Sequence, residues 1–353
     1  MNSIYLDCDL MRYRNSGLYH YCLNLGQYVN KALQADNSLG IAMYVPREEA
    51  NTFDRSCKVT VERRWHKTFK PFLWGCDIWH APFQSGRMLR KKGGKGKNLL
   101  TIHDLNVLHE GRSARECRSS LEKTQKLIKE SDAIVCISEH TRKDVLANMD
   151  VKDIPVYVVH NGTHHVDDPP AKPTSFVPQR PFLFSMGYVN RKKNFHTLIP
   201  LLNDSRYDLV IAGRLDEPEY IDHMRELSRK LGVEGRLHLT GPVSEMDKAW
   251  YLANCAAFVF PSLAEGFGAP VVEAMRFGRP LFLSTRTSLP EIGGEAAFYF
   301  QNFEPGHMLQ VFQSGMEMFS TNGFSEKVKM RARSFQWEEK AMEYLKIYRS
   351  LLK

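Results

Sequence analysis

Short apolar runs alternate with helix-patterned stretches along almost the whole chain; the alternation breaks once, at a proline-rich segment, and then begins again. In the first half the runs are SIYLDC, GIAMYVP, DIWHAP, NLLTIHDL, DAIVCIS and PVYVVHNG; in the second they are FLFSMG, YDLVIAG, RLHLTG, AAFVFPS and PLFLST. Compact apolar runs of this kind are what strands buried on both faces look like. Between the first two, Leu18, Cys22, Leu25, Val29 and Leu33 mark one face of a helix. Strand–helix repetition implies an α/β chain with parallel sheets. Residues 166–181, VDDPPAKPTSFVPQRP, hold five prolines and read as a linker. The expectation is two doubly wound domains over 1–168 and 182–335, joined by a linker at 169–181. A terminal helix at 336–353 is marked by Trp337, Met342, Leu345 and Tyr348. A ligand cleft is expected between the carboxyl ends of the strands.

The same features exclude other classes of protein. The longest apolar runs, such as AAFVFPSLA, fall far short of the roughly 20 residues a membrane-spanning helix needs. Met1 leads into the strand-like IYLDC rather than a signal peptide, so the expected location is the cytoplasm. Seven cysteines (8, 22, 57, 76, 117, 136, 255) are scattered with no CxxC pair, which favours reduced thiols over disulfides or zinc. The net charge is +8, and residues 1–172, with 26 Lys and Arg against 20 Asp and Glu, carry +6 of it. The densest basic cluster is GRMLRKKGGKGKN, residues 86–98. It lacks interleaved aromatics and any nucleic-acid motif, so no nucleic-acid partner is expected. A solvated loop, a phosphorylated acceptor or peripheral contact with the inner face of a membrane are the readings left.

The richest chemistry lies in PSLAEGFGAPVVEAM, residues 261–275. Pro270 fits the first turn of a helix, where its missing N–H has no partner, so a helix is predicted from Ala269 or Pro270. Glu265 then lies in the preceding loop. Glu273 is placed in the first helical turn, where exposed N–H groups and the helix dipole favour a carboxylate. Gly266 and Gly268 permit a loop that presents bare N–H groups to an anion such as phosphate. The plainer alternative is a strand-to-helix turn with two solvated glutamates.

EGFGAPVVE resembles the two-glutamate signature of the retaining glycosyltransferases of family 4, MGYVNRKKN their phosphate-binding segment, and NSGLYHYCLNL their first glycine loop. TIHDL, CISEHTRKDV, HNG and TSLPEIGGEAA fall in the family's order, so the resemblance covers nearly the whole chain. It implies the GT-B fold: two Rossmann-like domains facing a central cleft, with the closing helix crossing back to the N-terminal domain. It also implies a nucleotide-diphosphate-sugar donor, a saccharide or lipid-linked saccharide acceptor, and a place in polysaccharide, lipopolysaccharide or glycolipid biosynthesis. RKKN and SLPEI resemble mannosyl-transferring members, which points toward GDP-mannose. A GT-B nucleotide-sugar epimerase and a non-catalytic nucleotide-sugar-binding protein are the alternatives.

By the same resemblance, Glu265 reaches the donor hexose, and the backbone of Gly266, Phe267 and Gly268 meets hexose hydroxyls and phosphate. Glu273 accepts hydrogen bonds from the ribose, whose vicinal diol offers two donors to an acceptor-only carboxylate. Lys193, helped by Arg191 or Lys192, steadies the departing diphosphate. Tyr188 stands where many members carry another arginine. His103 and Asp104, closing NLLTIHD, belong to the acceptor side, with His103 counted among the catalytic residues; His80 is a weaker candidate that packing alone would explain. Gly17 gives donor or acceptor room, and Asn161 and Gly162 shape the interdomain crossing. DCD at Asp7–Asp9 matches the metal-holding DxD of a different glycosyltransferase fold, but it ends the first strand, and Asp7 reads as structural. No metal or other cofactor is expected, since Lys, Arg and helix N–H groups take the metal's place.

Overall fold

The computed structural model describes residues 2–14, 16–34, 39–67, 73, 75–85, 89–163, 172–203, 206–320 and 323–353. The chain divides into two compact units: Met1–Gly162 together with Phe335–Lys353, and Thr163–Ser334. The first part of the 169–181 linker lies outside the described residues, and 172–181 form neither helix nor strand.

Among the described residues unit 1 is built on seven strands: β1 (Asn2–Asp7), β2 (Leu39–Val45), β3 (Lys58–Val61), β4 (Ile78–Ala81), β5 (Lys97–Ile102), β6 (Ala133–Cys136) and β7 (Val156–Val158). All pair in parallel, in the order β3-β2-β1-β4-β5-β6-β7. Its helices are α1 (Gly17–Leu33), α2 (Ala114–Lys129) and α3 (Glu139–Asn148), with the terminal helix Trp337–Leu351 returning from the far end of the sequence. Both sheet faces are buried, as contiguous apolar strands require. Along β5, Leu99 joins the core shared with Cys22 and Leu25 of α1, whereas Leu100 and Ile102 join Ile128 of α2 and Val145 of α3. The terminal helix seats Trp337, Ala341, Tyr344, Leu345 and Tyr348 in the α1-side core. Met342, assigned to its apolar face from spacing, is instead exposed.

Unit 2 repeats the plan with β8 (Phe182–Met186), β9 (Asp208–Ala212), β10 (Leu237–Gly241), β11 (Ala257–Phe260), β12 (Leu281–Ser284) and β13 (Phe298–Phe300). These are again all parallel, in the order β10-β9-β8-β11-β12-β13. The helices α4 (Pro218–Lys230), α5 (Glu245–Asn254), α6 (Ala269–Arg276), α7 (Leu289–Gly293), α8 (Pro305–Ser320) and α9 (Phe324–Arg333) complete it; the terminal helix is α10. In each sheet the strand order reverses once, between β1 and β4 and between β8 and β11. At such a reversal the flanking loops diverge to opposite faces and leave a crevice at the carboxyl ends, the usual ligand position in open α/β sheets.

Candidate active site

The crevice of unit 2 is bounded by the loops that follow β8 and β11. After β8 the Asn190 side chain caps the 3-10 turn Arg191–Lys193 by accepting from the Lys193 N–H at 3.2 Å. After β11, the Leu263 N–H donates to the Lys192 carbonyl at 2.9 Å, so the basic turn and the glutamate loop are stitched together by backbone. Lys193 Nζ consequently meets Glu265 Oε1 at 2.5 Å, each side chain keeping only 12% exposure. Ser262 Oγ donates to the same oxygen at 2.6 Å. Burial by itself would raise the Glu265 carboxyl; the charges of Lys193 and Lys192, with the hydrogen bonds of Lys193 and Ser262, more than offset it and hold the group below its ordinary value.

The rest of the glutamate loop is fixed from the segment before α7. Thr287 Oγ1 accepts the Glu265 N–H at 2.9 Å, and Ser288 Oγ bridges the carbonyls of Glu265 and Phe267 at 2.9 and 3.0 Å. Gly266, Phe267 and Gly268 are buried beneath this clasp. Gly268 is the residue before α6 and has φ 97°, a left-handed conformation that favours glycine. The helix begins at Ala269 with Pro270 in its first turn, as its sequence predicts.

Glu273 departs from the expectation. It is the fifth residue of α6, beyond the first turn, so the exposed N–H groups and helix dipole do not account for its charge. A side-chain cation from α5 does: Lys248 Nζ stands 3.0 Å from Glu273 Oε2 and 2.6 Å from Glu245 Oε2. Burial opposes the charge on Lys248, yet the two carboxylates hold its pKa above the ordinary lysine value. Glu273 keeps 28% of its side chain exposed, enough to receive a ligand hydroxyl. Arg191 turns outward, with its side chain 66% exposed and Nε 3.9 Å from Glu217, whereas the charge of Lys192 acts on Glu265. Tyr188 carries Arg214 above its ring, the guanidinium carbon 4.7 Å from the centroid. Ser262, Thr287, Ser288, Lys248 and Arg214 were not singled out from sequence; Thr287 and Ser288 lie in the quoted TSLPEIGGEAA, but no spacing reveals which carbonyls a hydroxyl will reach.

In unit 1, His103 follows β5 directly and is 8% exposed. Its Nε2 lies 2.8 Å from the Pro82 carbonyl, which can only accept, so the proton sits on Nε2 and Nδ1 is the acceptor. The rings of Tyr21 and Phe83 stand edge-on to the imidazole. Burial lowers its pKa to about 4, against a small upward pull from the Pro82 carbonyl. Gln84 clasps the turn, accepting from the His103 N–H at 3.0 Å and donating to the Asp104 carbonyl at 2.8 Å. Asp104 Oδ1 caps the Asn106 N–H at 3.0 Å. His80 is fully buried between Tyr348 and Thr101, each 2.8 Å away, and burial, followed by His103, lowers its pKa to about 3; it is packed, not presented. Gly17 opens α1, with open space where a Cβ would project. Asp7 Oδ1 accepts the Asp9 N–H at 3.3 Å, a local turn that ends β1. Residues 86–88 of the basic segment lie outside the described residues; within the rest, Arg90 is spent on the carbonyls of Cys76, Lys95 and Lys97.

Two Rossmann-like units, each on an all-parallel sheet, together with the structures this chain is similar to, give the GT-B fold. Among solved structures the chain is similar to sucrose-phosphate synthase from Thermosynechococcus elongatus (TM-score 0.76, 16% identity, 100% of this chain and 99% of that one). It is also similar to Anabaena HepE in complex with UDP and glucose (TM-score 0.73, 14% identity, 99% and 100%). Residues 41–166 match the profile of Glycosyltransferase Family 4 and residues 170–305 that of Glycosyl transferases group 1, and the chain belongs to this family. Curated relatives include the O-antigen chain mannosyltransferase B of Escherichia coli, 29% identical over 178 residues, covering 47% of this chain and 45% of that protein. The serotype-specific mannosyltransferase WbdA of Escherichia coli is 34% identical over 173 residues, covering 45% of this chain and 20% of that protein. The matched region thus spans less than half the length of either relative.

Proposed function

We propose that this chain transfers a hexose, mannose in the first instance, from a nucleotide-diphosphate sugar to a hydroxyl of a saccharide or lipid-linked saccharide in polysaccharide assembly. The observation that carries the reading is the Lys193–Glu265–Ser262 cluster at the strand reversal of unit 2, beside a buried glycine loop that opens a helix. Family membership and the mannosyltransferase relatives support it. Glu273, held by Lys248, receives the ribose diol; Glu265 receives a hexose hydroxyl; Lys193 and Lys192 take up the charge that grows on the diphosphate as the glycosidic bond breaks. In the retaining course, the bond from C1 to the phosphate oxygen breaks while the acceptor oxygen bonds C1 on the same face, and the acceptor proton passes to the leaving phosphate. His103, neutral at pH 7, serves the acceptor side as a hydrogen-bonding group. The cations of the basic turn make the step independent of a metal.

Turnover of GDP- and UDP-sugars with an oligosaccharide acceptor, with and without excess EDTA, tests the proposal. Transfer from GDP-mannose with net retention, undiminished by EDTA, is the expected outcome. Activity abolished by EDTA and restored by Mn²⁺ would remove the metal-independent assignment; sugar-nucleotide isomerisation without acceptor would replace transfer with epimerisation.

A further inference from the structure

One group of side chains apart from the residues above has the make-up of a metal centre. His109 follows the short 3-10 turn Asn106–Leu108 that continues from Asp104, while His140 and Asp144 lie one helical turn apart on α3 and share a face. His109 Nε2 stands 2.6 Å from Asp144 Oδ2, and His140 Nε2 stands 3.4 Å from the same oxygen. The two imidazole centroids are 5.1 Å apart. The three ligand atoms lie within 4.8 Å of one another, and among the described residues this is the one such group of three or more His, Cys, Asp or Glu. Ligands about 2.0–2.2 Å from a tetrahedral ion are separated from each other by roughly 3.3–3.6 Å, so small side-chain movements would seat all three. The ordinary reading is a hydrogen-bonded pin between a loop and a helix. A pin needs one histidine; here two imidazole nitrogens from separate elements converge on a single carboxylate oxygen.

We infer that His109, His140 and Asp144 bind a divalent transition cation of the zinc class. Two imidazoles with one carboxylate suit Zn²⁺ and its neighbours, whereas Mg²⁺ and Ca²⁺ call for oxygen donors. Water completes the tetrahedron on the exposed side of His109. The consequence is local. Thr141 Oγ1 of α3 already donates to the His103 carbonyl at 3.1 Å, tying one end of the 103–109 segment to that helix. A metal at His109 ties the other end, so that the turn carrying His103 and Asp104 is held to α3 twice. The inference is independent of the leaving-group reading, which rests on residues of unit 2.

The test uses untagged full-length protein, stripped with EDTA and desalted, titrated with Zn²⁺ against a chromophoric chelator and with Co²⁺ by visible absorption. One Zn²⁺ per chain is expected, with a ligand-field spectrum of four- or five-coordinate Co²⁺. His109→Ala, His140→Gln and Asp144→Asn should each weaken binding about ten-fold or more, their metal-free melting temperatures serving as the folding control. Zn²⁺ should also slow amide exchange over 104–110 in the wild type and not in His140→Gln. No binding tighter than about 1 mM, or equal binding by the wild type and a folded His109→Ala or His140→Gln protein, would overturn the site. Bound Zn²⁺ that leaves exchange over 104–110 unchanged would overturn the tether.

Discussion

Replacing Lys193 by alanine separates two roles that a single kinetic measurement would merge. Lys193 Nζ is 2.5 Å from Glu265 Oε1, and both side chains keep only 12% exposure. Removing one member of a buried ion pair commonly costs about 3–5 kcal/mol, because the survivor is a buried charge without its partner. Ser262 and Lys192 remain beside Glu265, so the lower end, about 3 kcal/mol, is the working figure. For a domain of this size that corresponds to a fall of roughly 6–12 °C in the melting of unit 2. Glu265→Gln in the same chain removes the stranded charge, and the double variant should recover most of this loss. Turnover should behave differently. Loss of one donor that stabilises developing charge lowers kcat on the order of a hundred-fold to a thousand-fold, and neutralising Glu265 supplies nothing to the leaving phosphate. Lys193→Gln, which keeps a donor without the charge, should fall between alanine and wild type. Differential scanning calorimetry and steady-state kinetics at saturating donor and acceptor read the two quantities. Unchanged melting in Lys193→Ala would refute the buried-pair energetics. A double variant with restored kcat would show that Lys193 acts only through Glu265, and an unchanged kcat with a raised donor KM would move the leaving-group role to Lys192.

Three further outcomes follow from other parts of the molecule. Glu273→Ala should weaken binding of the free nucleoside diphosphate about ten-fold to a hundred-fold, the equivalent of one charged hydrogen bond, as read by calorimetry; unchanged affinity in a folded variant removes the ribose role. His80 and His103, buried neutral with pKa values of about 3 and about 4, bind fewer protons than in the unfolded chain between about pH 6.5 and pH 4. Their stabilising effect is complete above about pH 6.5 and is lost as pH falls, by up to about 1.4 kcal/mol per unit per histidine, or as much as about 4 kcal/mol at pH 5. Urea midpoints at pH 7 and 5 measure it, and His80→Gln should shrink the difference by about half; equal midpoints for the wild type would refute the assignment. Gly162→Ala would drive a Cβ into the Trp337 ring, and should lower stability by about 1–3 kcal/mol in thermal melts.

The strands were legible because a parallel strand covered on both faces must be apolar without interruption, as in LVIA of β9 and AFVF of β11. The two that escaped notice both lie at the edge of a sheet. β3, KVTV, is an edge strand with one exposed and three half-buried positions, and β13 has only three residues. Within the site, Pro270 located the start of α6, but Glu273 lies one turn farther on and draws its counter-charge from Lys248, 25 positions upstream on another helix. Likewise nothing in the spacing of His109 and His140, 31 positions apart, predicts that both turn to Asp144. Periodicity states which face of a helix is apolar. It does not state which neighbour that face meets, and for α10 even the face was drawn slightly wrong at Met342.

The discontinuity of unit 1 sets an order of assembly. Its α1-side core holds Trp337, Tyr344, Leu345 and Tyr348, side chains that the ribosome adds only after all of unit 2. All of Thr163–Ser334 is synthesised between the bulk of unit 1 and its final helix, a passage of on the order of 10–30 s at about 5–20 residues per second. Throughout that interval the apolar flank of α1 has no α10 to cover it, while unit 2, contiguous in sequence, has everything it needs to close. Completion of the unit 1 core therefore waits on a helix made after the whole of unit 2. A nascent polypeptide stalled or truncated before Phe335 carries a finished second domain and a first one whose exposed α1 flank invites aggregation or capture by chaperones.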